Sequence, residues 1–136
     1  MKNIIPVSAY EEIPCTVVAC GCALDYFRKA PAGSSKFDAL RTAMELQYHD
    51  DGYLSLQGTN KLVRSLFKVP RGGYRYYKRN ERKQLSQCDF DGKNAIVMVL
   101  GHCIFVTGNE YYSFFDNHSD DVVAVWIVED EARNAI

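Results

Sequence analysis

The sequence predicts an α+β domain in which N-terminal helices pack on a C-terminal antiparallel β-sheet. Apolar residues recur at helical spacing through the first half of the chain, whereas the second half holds short apolar and aromatic runs of strand length. A turn-forming Pro-Arg-Gly-Gly sequence at 70–73 separates the two halves. Helices followed by strands are typical of the α+β class. The chain has 136 residues, which suffices for one domain, so we treat 1–136 as a single domain.

The first predicted helix begins at Cys15 and ends near Lys29. Pro14 precedes it and suits a first helical turn, because the N–H that proline lacks would have no partner there. Residues 1–12 are expected to be irregular. Apolar side chains recur along the helix as a wide buried face: Val17, Val18, Ala19, Cys22, Leu24, Tyr26 and Phe27.

Two further helices are predicted before the sheet. One spans 36–47, where apolar residues again recur at helical spacing. A turn at 49–52 follows it. The third helix is short and ends near Phe67. Thr59 and Asn60 are residue types that cap a helix N-terminus, so we expect this helix to start there.

Five strands are predicted in the second half of the chain. The run Ala-Ile-Val-Met-Val-Leu at 95–100 is apolar throughout, which is typical of a strand buried on both faces. Tyr74, Tyr76 and Tyr77, in the first predicted strand, are expected to pack on the sheet. The predicted strands cover residues 74–77, 95–100, 102–107, 111–115 and 122–128.

The charge of the chain argues against a general nucleic-acid binder. The net charge is −1 and the isoelectric point is about 6.3, whereas such proteins carry a basic surplus. The densest basic stretch, residues 71–83, is interpreted as a solvated strand and loop. No apolar run approaches the roughly 20 residues of a membrane helix, and the N-terminus has no signal-peptide pattern. We therefore expect a cytoplasmic protein with no nucleic-acid or membrane partner.

The five cysteines predict reduced thiols and neither a metal nor another cofactor. Their number is odd, and their spacings fit neither a disulfide framework nor a zinc pattern. Cys20 and Cys22 are two apart on a helix and do not face each other. His102 and Cys103 are adjacent on a strand, where side chains point to opposite faces. A metal site shared by these four residues is therefore disfavoured.

Cys15 is the candidate nucleophile because it opens a predicted buried helix. The positive end of the helix dipole and the unpaired backbone N–H groups favour a thiolate there, so we expect the pKa of this thiol to be lowered. The alternative is that Cys15 is a small buried residue, as free cysteines often are.

His102 is the candidate base. It starts an apolar strand, and Gly101 beside it leaves room for a substrate backbone. His49 and His118 lie in polar segments that read as turns, so His102 is the histidine positioned by a rigid element. A lone histidine at a strand end is also compatible with a structural role.

Asp116 is the candidate group that orients the base. If the hairpin that follows His102 has a three-residue loop at 108–110, His102 faces Asp116 across the two strands. A two-residue loop would instead place Phe115 opposite His102. Asn117 could take the orienting role in place of Asp116, and both residue types are also common in turns.

Cys15, His102 and Asp116 together supply a nucleophile, a base and an orienting group. The segments that carry them resemble the papain-like cysteine peptidases, most closely the compact C39-like and phage or bacterial members. In those proteins Cys-x-x-x-Ala opens a buried helix, and a Gly-His-x-x-x-Val strand, an Asp and a late Val-x-x-Trp strand follow. The matching segments here are 13–19, 101–108, 115–117 and 123–126.

The resemblance implies a hydrolase that cuts a peptide or isopeptide bond of a protein or peptide substrate through an acyl-thioester. Acyl transfer and deamidation share that intermediate. Family members place a Gln or Asn shortly before the cysteine to stabilise the oxyanion, and residues 8–13 offer neither type. A second interpretation therefore stays open, in which a catalytically silent papain-like module binds a partner protein.

Overall fold

The computed structural model of this protein describes residues 4–5, 13–46, 55–113 and 116–132. These residues combine helices with a sheet, so the expected α+β class is confirmed. The helices are α1 (Cys15–Arg28), α2 (Lys36–Glu45) and α3 (Leu56–Leu66), with a 3₁₀ turn at Leu85–Gln87. The strands are β1 (Ile4–Ile5), β2 (Phe67–Lys68), β3 (Tyr74–Tyr76), β4 (Ala95–Val99), β5 (His102–Thr107), β6 (Glu110–Tyr112), β7 (Val122–Ile127) and β8 (Asp130–Glu131).

The helix starts expected at Cys15 and at residue 36 are confirmed, whereas the expected start of the third helix is wrong. Helix α3 begins at Leu56, and Ser55 caps it by accepting a hydrogen bond from the Gly58 N–H at 2.9 Å. Ser55 has the extended backbone of an N-cap residue, while Thr59 is already buried inside the helix. The turn expected at 49–52 lies outside the described residues.

The cap of α3 gives a stability prediction. Ser55→Ala is expected to lower the free energy of unfolding by about 1 kcal/mol, because the Gly58 N–H loses its partner at the helix end. Ser65→Ala is the matched control. The Ser65 hydroxyl is exposed and donates to the Lys61 carbonyl within the helix, so its loss is expected to change stability by less than about 0.5 kcal/mol. Urea unfolding measures both, and equal effects would contradict the assignment of the cap.

The main sheet has six strands in the order β1-β6-β5-β4-β7-β3. The five strands from β6 to β3 pair antiparallel, as expected. Four of them fall within predicted segments, and β6 begins one residue before the segment predicted at 111–115. Strand β1 lies in the segment expected to be irregular and pairs parallel to β6. Two residues are too few to show a strand pattern in the sequence. A separate antiparallel pair joins β2, which directly follows α3, to β8, which follows β7.

Both faces of the sheet are covered, which explains why β4 is buried along its whole length. Side chains alternate between the faces along each strand. The helices cover one face, where their buried residues share a core with Ile96, Met98, Cys103, Phe105, Ala124 and Trp126, and α1 lies mainly over β5. The segment 77–90 contributes Tyr77, Leu85, Cys88 and Phe90 to the other face, against Ala95, Val97, Val99, Ile104, Val106, Val122 and Val125.

Candidate active site

Cys15 is the first residue of α1, and its side chain is half-buried. Burial raises the pKa of the Cys15 thiol above its ordinary value, because it disfavours the charged thiolate. Hydrogen bonds from the Cys103 N–H and from the hydroxyl and N–H of Thr16 act in the opposite direction and are outweighed. The expected lowering of the pKa is therefore wrong. The helix terminus does supply donors to the sulfur, but burial has the larger effect.

His102 begins β5 directly after a tight turn that connects it to β4. Gly101 in that turn has φ +76°, a conformation that favours glycine, and Val99 is the residue opposite His102. The imidazole Nε2 lies 3.0 Å from the Ser113 Oγ. Burial lowers the pKa of His102, and the nearby Asp120 carboxylate partly offsets this. The ring is therefore neutral at neutral pH, which is the form that can accept a proton.

A chain of polar side chains continues from His102 into the loop before β7. The Ser113 hydroxyl donates to the Asn117 Oδ1 at 2.6 Å, and the Asn117 Nδ2 donates to the Asp120 Oδ2 at 2.7 Å. Ser113 and Asn117 are both 2% exposed. Because the single hydroxyl proton of Ser113 is directed to Asn117, the proton on the ring must be on Nε2. The lone pair of the neutral ring is then on Nδ1.

Asp116 is not part of this chain. Its side chain is 72% exposed, and its Oδ1 lies 3.1 Å from the His118 Nδ1. It also accepts hydrogen bonds from the Tyr111 hydroxyl and the His118 N–H. The structure thus places the predicted orienting residue beside another histidine, whereas Asn117, the alternative, is connected to His102 through Ser113.

The register of the β5–β6 hairpin explains the position of Asp116. Thr107 pairs with Glu110, so the loop has two residues and not the expected three. Gly108 has φ +58° in this tight loop. The three-residue loop on which the pairing of His102 with Asp116 depended is absent. The expected pairing of His102 with Asp116 is therefore wrong.

Cys15 and His102 lie at the same end of β5 without touching. The thiol meets the N–H of the peptide unit that joins His102 to Cys103. Cys103 and Phe105 point towards α1, so the alternation of the strand directs the His102 side chain to the other face. Among the described residues, no hydrogen bond joins the Cys15 thiol to the His102 ring.

The other cysteines near the site contribute to packing. Burial raises the pKa of Cys22 to about 12, and it also raises the pKa values of Cys20 and Cys103. These thiols stay protonated, as expected of small buried residues. In the part of the chain that the structure describes, no three His, Cys, Asp or Glu side chains are grouped so that they could hold a metal ion.

Ser113 and Asp120 are the site residues that sequence reasoning missed. Each lies among residues typical of turns, so neither composition nor periodicity distinguishes them from ordinary loop residues. Only the fold brings Ser113, after β6, next to His102 at the start of β5. The one available signal was the concentration of Ser, Asn and Asp at 113–121, after a strand next to the candidate base.

Comparisons of this chain with protein-family models, curated protein sequences and solved structures found no match. The resemblance to papain-like peptidases therefore depends on the four short matching segments alone. Within the described residues, no helix has the length and hydrophobicity needed to cross a membrane.

Proposed function

We propose that this protein is a papain-like thiol hydrolase in which Cys15 attacks the carbonyl carbon of a peptide or isopeptide bond. One observation carries the proposal. The thiol at the start of α1 rests on the peptide unit of His102, while a buried hydrogen-bond chain holds the ring with its lone pair on Nδ1. A nucleophile, a base and an orienting chain thus all lie at one end of β5.

In the proposed reaction both groups start neutral, because burial raises the pKa of the Cys15 thiol and lowers that of His102. Proton transfer requires the Cys15 Sγ and the His102 Nδ1 to come together, because the resting side chains lie on opposite faces of the sheet. The thiol proton moves to Nδ1 as the sulfur bonds to the carbonyl carbon. The imidazolium then gives its proton to the leaving amine, and the thioester is hydrolysed by a water molecule that His102 deprotonates.

The hydrogen-bond chain gives a prediction that separates two orienting groups. Asn117→Ala removes the partner of Ser113 and is expected to slow acylation of Cys15 about 10²-fold, because the ring loses its fixed orientation. Asp116→Ala is the matched control and is expected to change the rate less than twofold, since this carboxylate contacts His118. Rates are compared after circular dichroism has shown that both variants are folded. A loss with Asp116→Ala as large as that with Asn117→Ala would restore Asp116 as the orienting residue.

The experiment that tests the proposal uses p-nitrophenyl acetate, an activated acyl ester. A thiol hydrolase is expected to release a burst of p-nitrophenolate in the amount of the enzyme, with an acetyl group found on Cys15 by mass spectrometry. Cys15→Ala should abolish the burst. Cys88→Ala, which removes the other half-buried thiol, should leave it unchanged. A burst that survives Cys15→Ala would contradict the proposal.

A specific observation favours a second candidate, the catalytically silent module that binds a partner protein. The thiol pKa is raised, and no hydrogen bond between thiol and imidazole is present in the described structure. A silent module needs no reactive thiol, so it is expected to give no burst and no acetylated Cys15. The same experiment therefore decides between the two candidates.

A further inference from the structure

Strand β3 lies at one edge of the main sheet and pairs on one side only, with β7. Its ladder uses alternate residues: the Ile127 N–H donates to the Gly73 carbonyl and the Tyr77 N–H donates to the Val123 carbonyl, both at 2.8 Å. The peptide groups of Tyr74 and Tyr76 therefore point away from β7. Among the described residues, none forms a hydrogen bond to these outward N–H and C=O groups. An edge of this kind can pair with another extended chain.

The segment that contains this edge is strongly basic. Residues 71–83 carry six basic side chains and one acidic side chain, whereas the rest of the chain carries ten basic and sixteen acidic ones. The net charge of −1 thus conceals a marked separation of charge. The one acidic group, Glu81, already accepts a hydrogen bond from the Lys78 N–H at 2.9 Å.

The cations of this segment have no acidic partners within the described part of the chain. The described ion pairs of the basic side chains all lie elsewhere, around Arg28 and Arg41. Two of the cations are instead positioned by aromatic rings. The Arg75 guanidinium lies 4.7 Å from the centre of the Tyr77 ring, and the Arg82 guanidinium lies 6.0 Å from that of Tyr76. Because the rings position these guanidinium groups, less side-chain freedom is lost when an anion binds.

We propose that the outer edge of β3 and its basic side chains bind an extended acidic segment of a partner protein by strand addition. The outward peptide groups of Tyr74 and Tyr76 pair with the backbone of the partner, and its carboxylates meet Arg75, Lys78 and Arg79. An acidic peptide fits better than a single-stranded nucleic acid for two reasons. The edge offers alternating donors and acceptors that match a β-strand, and guanidinium groups already lie over the rings of Tyr76 and Tyr77 on which bases would stack.

This surface is separate from the candidate active site. Strands β7 and β4 lie between β3 and β5, which corresponds to about 14 Å at the usual strand spacing. Docking at β3 therefore requires no thiol chemistry, and its test is independent of the activity of Cys15.

The test measures binding of a fluorescein-labelled peptide of alternating Glu and Val by fluorescence anisotropy. Arg75→Glu/Arg79→Glu is expected to weaken binding about tenfold, because two attractive contacts become repulsive. Lys61→Glu/Lys68→Glu, an equal change of charge at two exposed lysines elsewhere, is the matched control and should weaken binding less than threefold. Equal losses with the two double variants would overturn the proposal.

Two further probes test the backbone pairing without altering the protein. One carries N-methyl groups on its Glu residues and the other on its Val residues. Since only alternate N–H groups of an added strand face β3, one probe should lose at least tenfold in affinity while the other binds within threefold of the parent. Equal affinity of the two methylated probes would overturn strand addition. Tighter binding of single-stranded oligothymidylate than of the acidic peptide, with the same sensitivity to Arg75→Glu/Arg79→Glu, would overturn the peptide in favour of nucleic acid.

Discussion

Replacement of His102 by alanine is expected to slow acylation of Cys15 at pH 7 by about 10²–10⁴-fold, the usual contribution of a general base. The reason is the protonation state of the site. The pKa of the buried thiol is raised, so little thiolate is present at pH 7 and a base must remove the proton during attack. The rate of the p-nitrophenolate burst measures this effect.

The matched control for this variant is His118→Ala. The His118 Nδ1 lies 3.1 Å from the Asp116 Oδ1, and the hydrogen bonds described between His102, Ser113, Asn117 and Asp120 do not include the His118 ring. The burst rate of His118→Ala is therefore expected to stay within twofold of that of the unaltered protein. A loss as large as that of His102→Ala would mean that the wrong histidine has been assigned as the base.

Trp126→Ala is expected to lower the free energy of unfolding by about 3–5 kcal/mol. The side chain is fully buried in the core between the helices and the sheet, and its ring centre lies 5.3 Å from that of Tyr74. Its Nε1 donates to the Asn60 Oδ1 at 3.0 Å, which connects β7 to α3. Removal leaves a large cavity in a protein whose total stability is expected to be only about 5–15 kcal/mol. The midpoint and slope of urea unfolding give the change.

Trp126→Phe separates the cavity from the hydrogen bond. Phenylalanine keeps most of the buried ring and loses the bond to Asn60, whose Oδ1 still accepts from the Arg64 Nε at 2.8 Å. Since no buried acceptor is left unpaired, the expected loss is about 1–2 kcal/mol. If Trp126→Phe were as destabilising as Trp126→Ala, packing of the ring would not be the main contribution.

The elements that the sequence predicted well are those whose pattern is set by burial. Strand β4 is apolar at every position because both of its faces are covered, and α1 is apolar on a wide face because it lies on the sheet. The start of α3 was predicted less well, since residues of types that cap helices stand at three nearby positions, Ser55, Thr59 and Asn60. Local pattern thus fixed the type of each element better than its ends.

The parts of the site that the sequence could not predict depend on tertiary contacts. The sequence after β5 is compatible with a hairpin loop of two or of three residues. This one-residue difference decides whether Asp116 or another residue faces His102. The pKa of Cys15 is set mainly by burial, whose effect outweighs that of the helix terminus. The sequence contains no pattern from which this burial could be predicted. The Ser113–Asn117 bond exists only because the loop before β7 folds back towards β5.

The most direct test of the proposed cooperation between Cys15 and His102 is the rate of Cys15 alkylation by iodoacetamide against pH, with and without His102→Ala. Mass spectrometry locates the label. Because a neutral His102 assists the protonated thiol, the unaltered protein is expected to react at least tenfold faster than His102→Ala at pH 7. The assisted rate should fall only below pH 6.5, since the pKa of His102 is lowered from that value and only the neutral ring accepts a proton. The two rates should converge above pH 9.0, where the thiolate forms without a base. Coincident profiles that both rise only above pH 9.0 would contradict the account.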